Sequence, residues 1–333
     1  MPRARPKSQR QYVLQSDAAI IAAGLSGALP AKPPKFIAPQ LALQVDKLPG
    51  AAGWLHEVKI DGYRLQLNRQ ENDIRCYTRR GQDWSKKFPP LVRAAWKLEA
   101  RKFVLDGEVA VPDAAGIPDF AALVSALHSQ SDAFIYYAFD ILYIDGWDLR
   151  KATLLDRKRV LAELIASQKK GSPIVFSEHV TGDAEALWRD GCKINLEGIV
   201  SKRAESRYHS GERSRDWVKR ACRKRDTFTV AGLAYDKEGF DGIYLGRKVD
   251  DKLFYAGKCE VGIGDKEEKQ LQRKAGRWVT KRSPLSNLAT ARKAGFGKAR
   301  WLKPKLLVEI EFRGTDGQGR LRHASFKGLR DDI

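Results

Sequence analysis

The sequence predicts two domains: an α+β domain with antiparallel sheets up to about residue 225, then a small β-barrel of the OB type. Three observations carry this. The chain has 333 residues, 43% of them hydrophobic, enough for two ordinary cores. Between residues 36 and 225, strand pairs mix with helices without a strict strand–helix–strand beat, which favours antiparallel sheets over a doubly wound parallel one. After "CRKRDTF" the chain turns to short strands broken by Gly and Asp, about five of them, a pattern that suits an OB barrel and that an SH3-like barrel would share.

The elements follow in order. Residues 1–35 form a basic leader punctuated by proline and ending in "LPAKPPKF", read as a flexible lead-in. Its run "AAIIAAGLSGALPA" is Ala/Gly-rich and weakly apolar, unlike a secretory signal. In residues 36–225, "WLHEVKI", "YRLQLNR", "DIRCYTR", "KFVLDGEVAV", "FIYYAFDILYI", "IVFSEHV" and "EGIVSKR" predict strands, rich in β-branched and aromatic residues. The segments "LVRAAWKLEA", "DFAALVSALHSQ", "LLDRKRVLAELIAS" and "DAEALWRDG" repeat their apolar residues at three and four, which predicts helices. In residues 226–333 the strands are "TFTVAGLAY", "GIYLGRKV", "KLFYAGKCEVGIG", "LLVEIEFRG" and "RLRHASFKG", interrupted by one helix, "KEEKQLQRKAGRW".

The net charge of +20 (61 basic and 41 acidic residues) points to a polyanionic partner, since each phosphate neutralised releases condensed counterions. No run reaches the roughly 18 apolar residues a membrane span needs. Cys76, Cys192, Cys222 and Cys259 are scattered, with no C-x-x-C pair. That suggests neither a zinc site nor a disulfide framework, and free thiols in a reducing compartment are expected.

The chemistry concentrates at strand ends. In "EVKIDGYR" Lys59 closes a strand just before a turn at Asp61-Gly62. A lysine amine is a nucleophile once deprotonated, and nearby cations, a metal ion or burial favour that form. Further along come "YTRRG", "VLDGEVAV", "YYAFDIL", "LEGIVSKR" and "DWVKRACRK", each a strand-like piece carrying charge. In order and spacing this set resembles the covalent nucleotidyltransferases: ATP-dependent DNA ligases, RNA ligases and mRNA capping enzymes. "WLHEVKIDGYR", "TRRGQDW", "FDILYIDG" and the closing "LRHASFKGLRDD" are similar in particular to the ligase module of bacterial DNA ligase D.

The resemblance implies an adenylation domain over residues 36–225, an OB-fold domain over 226–333, and a role for each motif residue. Lys59 would attack the α-phosphate of ATP to form lysyl-AMP. Glu108 and Glu197 would serve the ribose and a divalent metal, Mg²⁺ or Mn²⁺. Phe139 would stack on adenine, with Tyr137 its rival on the same strand face, and Glu57 would lie near the adenine edge. Arg64 and Arg79 would contact ribose or phosphates, and Lys219 would grip the α-phosphate. Arg330 and Asp332 would orient the pyrophosphate. Three departures stand out: Arg80 where asparagine is frequent, Ala221 where relatives commonly have a second lysine, and Ile333 in place of a final lysine. Arg220 or Lys224 could replace the charge missing at Ala221.

The β-rich region interleaves basic residues with Trp278, Phe296 and Trp301, which suits tracking a phosphate backbone. Candidate DNA contacts are Arg79, Arg80, Lys258, Arg277, Lys298 and Arg300. The implied function is sealing of nicked or broken double-stranded DNA in repair and end joining. The expected setting is a monomer in the bacterial cytoplasm and nucleoid, with a Ku-like end-binding partner and no membrane. The alternatives are an RNA ligase, a capping-type guanylyltransferase, or a non-catalytic DNA-binding relative.

Overall fold

The structure, a computed structural model, describes residues 16–50, 52–129, 131–287, 298–316 and 318–330. The chain divides into two compact units, residues 1–220 and 221–333.

The first unit holds two sheets. The larger has seven strands in the order Leu29–Pro30, Trp147–Asp148, Ile135–Ile144, Lys102–Ala110, Tyr63–Gln70 and Asp73–Thr78, with Ile174–Phe176 added alongside Ile135–Ile144. The smaller runs Leu41–Gln44, Arg213–Ala221, Gly198–Arg203 and Trp54–Val58. Pairing is antiparallel as expected, apart from Leu41–Gln44 beside Arg213–Ala221 and Ile174–Phe176 beside Ile135–Ile144, which are parallel. The main core is built from alternate residues of the large sheet, including Leu65, Leu67, Phe103, Leu105, Tyr136 and Ile141, covered by the helices Pro89–Ala95, Phe120–Ser129 and Leu154–Ala166. The helix Ala184–Lys193 lies over the smaller sheet, its first turn capped by the Asp183 carboxylate, which accepts from the Glu185 and Ala186 amides.

Part of the lead-in departs from expectation. From residue 16 onward it belongs to the first unit. Ser16 caps the helix Asp17–Ala23, and the small side chains of Ala18, Ala19 and Ala22 sit in the main core. An alanine stripe this narrow has little hydrophobic signal, yet it lets a helix pack closely. The cysteines differ as well: Cys76 and Cys259 are free and buried, whereas Cys192 and Cys222 are disulfide-bonded rather than free thiols.

The second unit is a six-stranded sheet ordered Lys252–Cys259, Phe240–Val249, Lys224–Tyr235, Leu307–Phe312 and Ser325–Arg330, with Lys298–Trp301 also paired to Lys224–Tyr235. The helix Asp265–Ala275 inserts Leu271 and Ala275 into its core. The expected barrel does not close as a ladder among the described residues. The sheet's two outer strands are not paired with each other; one isolated parallel bridge, Val261 to Ser325, links the segment after one edge to the other.

Candidate active site

The two sheets of the first unit meet around a cleft of about 780 Å³, within the roughly 300–1,000 Å³ typical of ligand pockets. The smaller sheet delivers the lysine. Trp54–Val58 pairs antiparallel with Gly198–Arg203, Val58 opposite Ile199, and the Lys59 amide donates to the Gly198 carbonyl at 2.9 Å. That register sets Glu197 against Lys59, whose Nζ donates to Glu197 Oε2 at 2.7 Å. The side chains are 20% and 6% exposed, so the pair is sheltered but reachable.

The chain then crosses to the larger sheet through Gly62. The glycine is required for closeness rather than for a positive φ: a Cβ there would lie 2.1 Å from the Val109 carbonyl oxygen and 3.2 Å from Glu108 Cγ. Tyr63–Gln70 pairs with Lys102–Ala110 with Arg64 opposite Glu108. Glu108 lines the cleft. Burial pushes its carboxyl up to about 8 against the pull of Lys59 and Arg64, and the negative charges of Glu197 and Asp106 push the same way.

Arg64 also lines the cleft, but its guanidinium is fully engaged. Nε and Nη2 donate to the fully buried Asp106 at 2.9 and 2.6 Å, and Nη1 donates to the Gln40 carbonyl at 2.6 Å. Tyr208 Oη donates to the same Asp106 at 2.5 Å. Arg64 stands 5.1 Å from the Phe139 ring centroid. Phe139 lines the cleft and Tyr137 does not, which separates the two aromatic candidates.

Beside Phe139 the cleft holds a buried ionic cluster. Glu57, 3% exposed, accepts from Lys158 Nζ on Oε1 at 2.9 Å and from Lys202 Nζ on Oε2 at 2.7 Å. Burial alone would protonate this carboxyl, but the two ammonium groups outweigh it and hold it below the usual range. Lys202 is pushed down to about 8, mainly by burial. Its Nζ lies 4.1 Å from the Phe139 centroid and 4.3 Å from that of Trp217.

The cleft therefore gathers Glu57, Lys59, Arg64, Arg79, Arg80, Glu108, Phe139 and Lys219, with Glu197 bonded to Lys59. Arg79 and Arg80 are exposed in the turn after Asp73–Thr78. Ala221 is buried, and Arg220 does not supply its missing charge: it pairs with Glu185 and stacks at 3.5 Å on Trp188. In the second unit Arg330 ends the strand Ser325–Arg330, with Nη1 3.5 Å from Thr227 Oγ1. Asp332, Phe296 and Ile333 lie outside the described residues. Lys298 and Arg300 share the exposed face of the strand Lys298–Trp301, and Arg277 is exposed in the turn Gly276–Trp278. Lys258 is instead held by Asp241 and by Glu260 at 2.8 Å. Trp278 and Trp301 pack against the second unit's hydrophobic clusters.

Lys202, Trp217 and Lys158 were not singled out by sequence reasoning. Lys202 and Trp217 lie inside quoted motifs, but Lys158 sits in an ordinary-looking helix and finds Glu57 101 residues away. A second cavity, about 890 Å³ beside Trp96, has its charges paired within it: Arg101 and Lys102 meet Glu71, and Arg69 bonds three backbone carbonyls.

Among the described residues no cluster of three or more His, Cys, Asp or Glu could hold a metal. Glu108 and Glu197 nevertheless fit a substrate-completed site, because Mg²⁺ is commonly held by one or two carboxylates plus substrate phosphates rather than by an all-protein cage.

Comparison with known proteins agrees with this geometry. Residues 39–220 match the ATP dependent DNA ligase domain family, and residues 236–333 match the ATP dependent DNA ligase C terminal region. The multifunctional non-homologous end joining protein LigD of Pseudomonas aeruginosa is 34% identical over 306 residues, 90% of this chain and 36% of that protein. A probable DNA ligase of Beutenbergia cavernae is 30% identical over 319 residues, 89% of this chain and 58% of that protein. The structure of mycobacterial DNA ligase D complexed with ATP and MES is 29% identical with a TM-score of 0.53, covering 89% of this chain and 96% of that one. The chain thus spans little more than a third of the end-joining relative's length.

Proposed function

The chain belongs to the ATP-dependent DNA ligases, and on that footing we propose that it seals 5′-phosphate/3′-OH breaks in double-stranded DNA through a lysyl-AMP intermediate on Lys59. The observation that carries the assignment is the Lys59–Glu197 pair at 2.7 Å inside a cleft that also presents Glu108 and Phe139.

In the first step the Lys59 Nζ lone pair attacks the α-phosphorus of ATP. The N–P bond forms, the bond to the bridging oxygen breaks, and pyrophosphate leaves with that electron pair. Such transfer depends on in-line positioning and charge neutralisation more than on proton chemistry. Glu197 fixes Nζ, Phe139 offers a stacking face, and Lys219, Arg79 and Arg80 bring positive charge to the phosphates. Glu108 and Glu197 would hold a divalent cation, Mg²⁺ or Mn²⁺, which neutralises phosphate charge as the bond to pyrophosphate breaks. AMP then passes to the 5′-phosphate of the break, and the 3′-OH displaces it to restore the backbone.

The substrate is nicked or broken double-stranded DNA, engaged in part through Lys298, Arg300 and Arg277. A role in end joining beside a Ku-like protein, as a monomer, follows from the likeness to the end-joining relatives.

Intact mass before and after ATP with divalent cation tests the proposal. The expected result is a gain of one AMP, absent in Lys59→Ala, with nick sealing lost in the same variant. Labelling by GTP alone would point instead to guanylyl transfer. No adduct in wild type would leave only a DNA-binding role.

A further inference from the structure

We propose that Lys158 and Lys202 are positioning residues that make the cleft select a purine bearing an exocyclic amine, and so ATP over GTP. The inference rests on the ligase reading above and adds a basis for nucleotide choice.

Glu57 is the starting point. It lies on the same strand as the nucleophile, two residues before it, and lines the cleft beside Phe139. A nucleotide with its α-phosphate at Lys59 and its base on Phe139 places the base edge within reach of this carboxylate. An ionised carboxylate only accepts, with about four lone-pair sites. One site on each oxygen is taken: Oε1 by Lys158 at 2.9 Å and Oε2 by Lys202 at 2.7 Å. The remaining sites suit a donor. Adenine presents an amine at its six-position; guanine presents a carbonyl there, whose lone pairs would face the carboxylate's own.

The two lysines decide which form of Glu57 the base meets. Without them a carboxyl this buried would take a proton. It would then present an O–H, able to donate to a guanine carbonyl, and the selection would relax. Both lysines are themselves immobilised. Lys158, 1% exposed, also donates to the Ser177 carbonyl at 3.0 Å, and Lys202 rests against the Phe139 and Trp217 rings. The cluster is thus one carboxylate with a fixed orientation and a fixed charge.

Single-turnover lysyl-AMP formation with ATP, GTP and purine riboside triphosphate, which lacks the six-amine, tests this. Wild type should favour ATP over both by at least about 10²-fold in kcat/KM, the scale on which a polar site rejects an analogue that leaves its groups unpaired. Lys158→Met and Lys202→Met should each lower the ATP:GTP ratio at least about tenfold, through KM for ATP rather than the rate at saturation. Glu57→Gln, nearly isosteric and able to donate, should do the same and keeps the test available if a methionine variant does not fold. Unchanged ratios in the folded variants, or a wild type that uses purine riboside triphosphate as well as ATP, would overturn the assignment. A wild type that takes up no nucleotide at all would overturn the ligase reading, and this inference with it.

Discussion

Two residues in the cleft carry charge states that the fold imposes against water, and each gives a measurable consequence. Glu108 holds its proton up to about 8 when folded, against 4.5 for the free side chain. Between those values the native state binds more protons than the unfolded one, so this residue's contribution to stability declines as pH rises. Without divalent cation, the fall in Tm between pH 5 and 8 should therefore be shallower in Glu108→Gln than in wild type; parallel curves would contradict the assignment. Arg64 is the second. Its two bonds to the fully buried Asp106 make it the main counter-charge there, joined by Tyr208. Removing it as Arg64→Met should cost about 3–5 kcal/mol in urea unfolding, the scale for stranding one partner of a buried pair. Arg64→Met/Asp106→Leu should recover part of that loss.

At the scale of elements, the cleft depends on close backbone approach between strands. Gly62→Ala places a methyl 2.1 Å from the Val109 carbonyl oxygen, and Gly107→Ala places one 2.5 Å from the Tyr136 ring. Either must shift strands that bear Lys59 or Glu108. Lysyl-AMP formation should drop at least about 10²-fold, since misplacement by about 1 Å is enough for that; stopped-flow or quench-flow rates would show it. Legibility follows the same physics. The strands were readable from period-two patterns ended by Gly and Asp, and the motif residues at their ends do line one cleft. What escaped was long-range or weakly hydrophobic. The Ala18-Ala19-Ala22 stripe looks like a flexible leader until it finds the core. Lys158 looks like a solvated helix lysine until Leu154–Ala166 packs on the sheet and brings it to Glu57. Gly62 was read as a turn residue, whereas its constraint comes from Val109, 47 residues away in sequence and absent from any local pattern.

For the molecule as a whole, the charge of +20 is a statement about DNA affinity. With about eight phosphates neutralised, Kd should weaken by about three to five orders of magnitude between 50 and 200 mM salt. Lys298→Ala/Arg300→Ala should lower the salt slope by about two without changing sequence preference, as fluorescence anisotropy on a nicked duplex would reveal. An unchanged slope would remove that strand from the interface. Among the described residues, no helix is long and apolar enough to cross a membrane.

The strand pairing around Lys59 also bears on when reactivity can arise during synthesis. Lys59 and Glu197 are separated by 138 positions in the chain, and the strand that carries the lysine is held on its open side by residues 198–203. A nascent chain therefore exposes its nucleophile long before the ribosome has supplied the carboxylate or the neighbouring strand. Pairings this distant in sequence form late. The reactive centre is silent through most of translation, and a fragment ending before residue 197 should take up no AMP however well its first hairpins have formed.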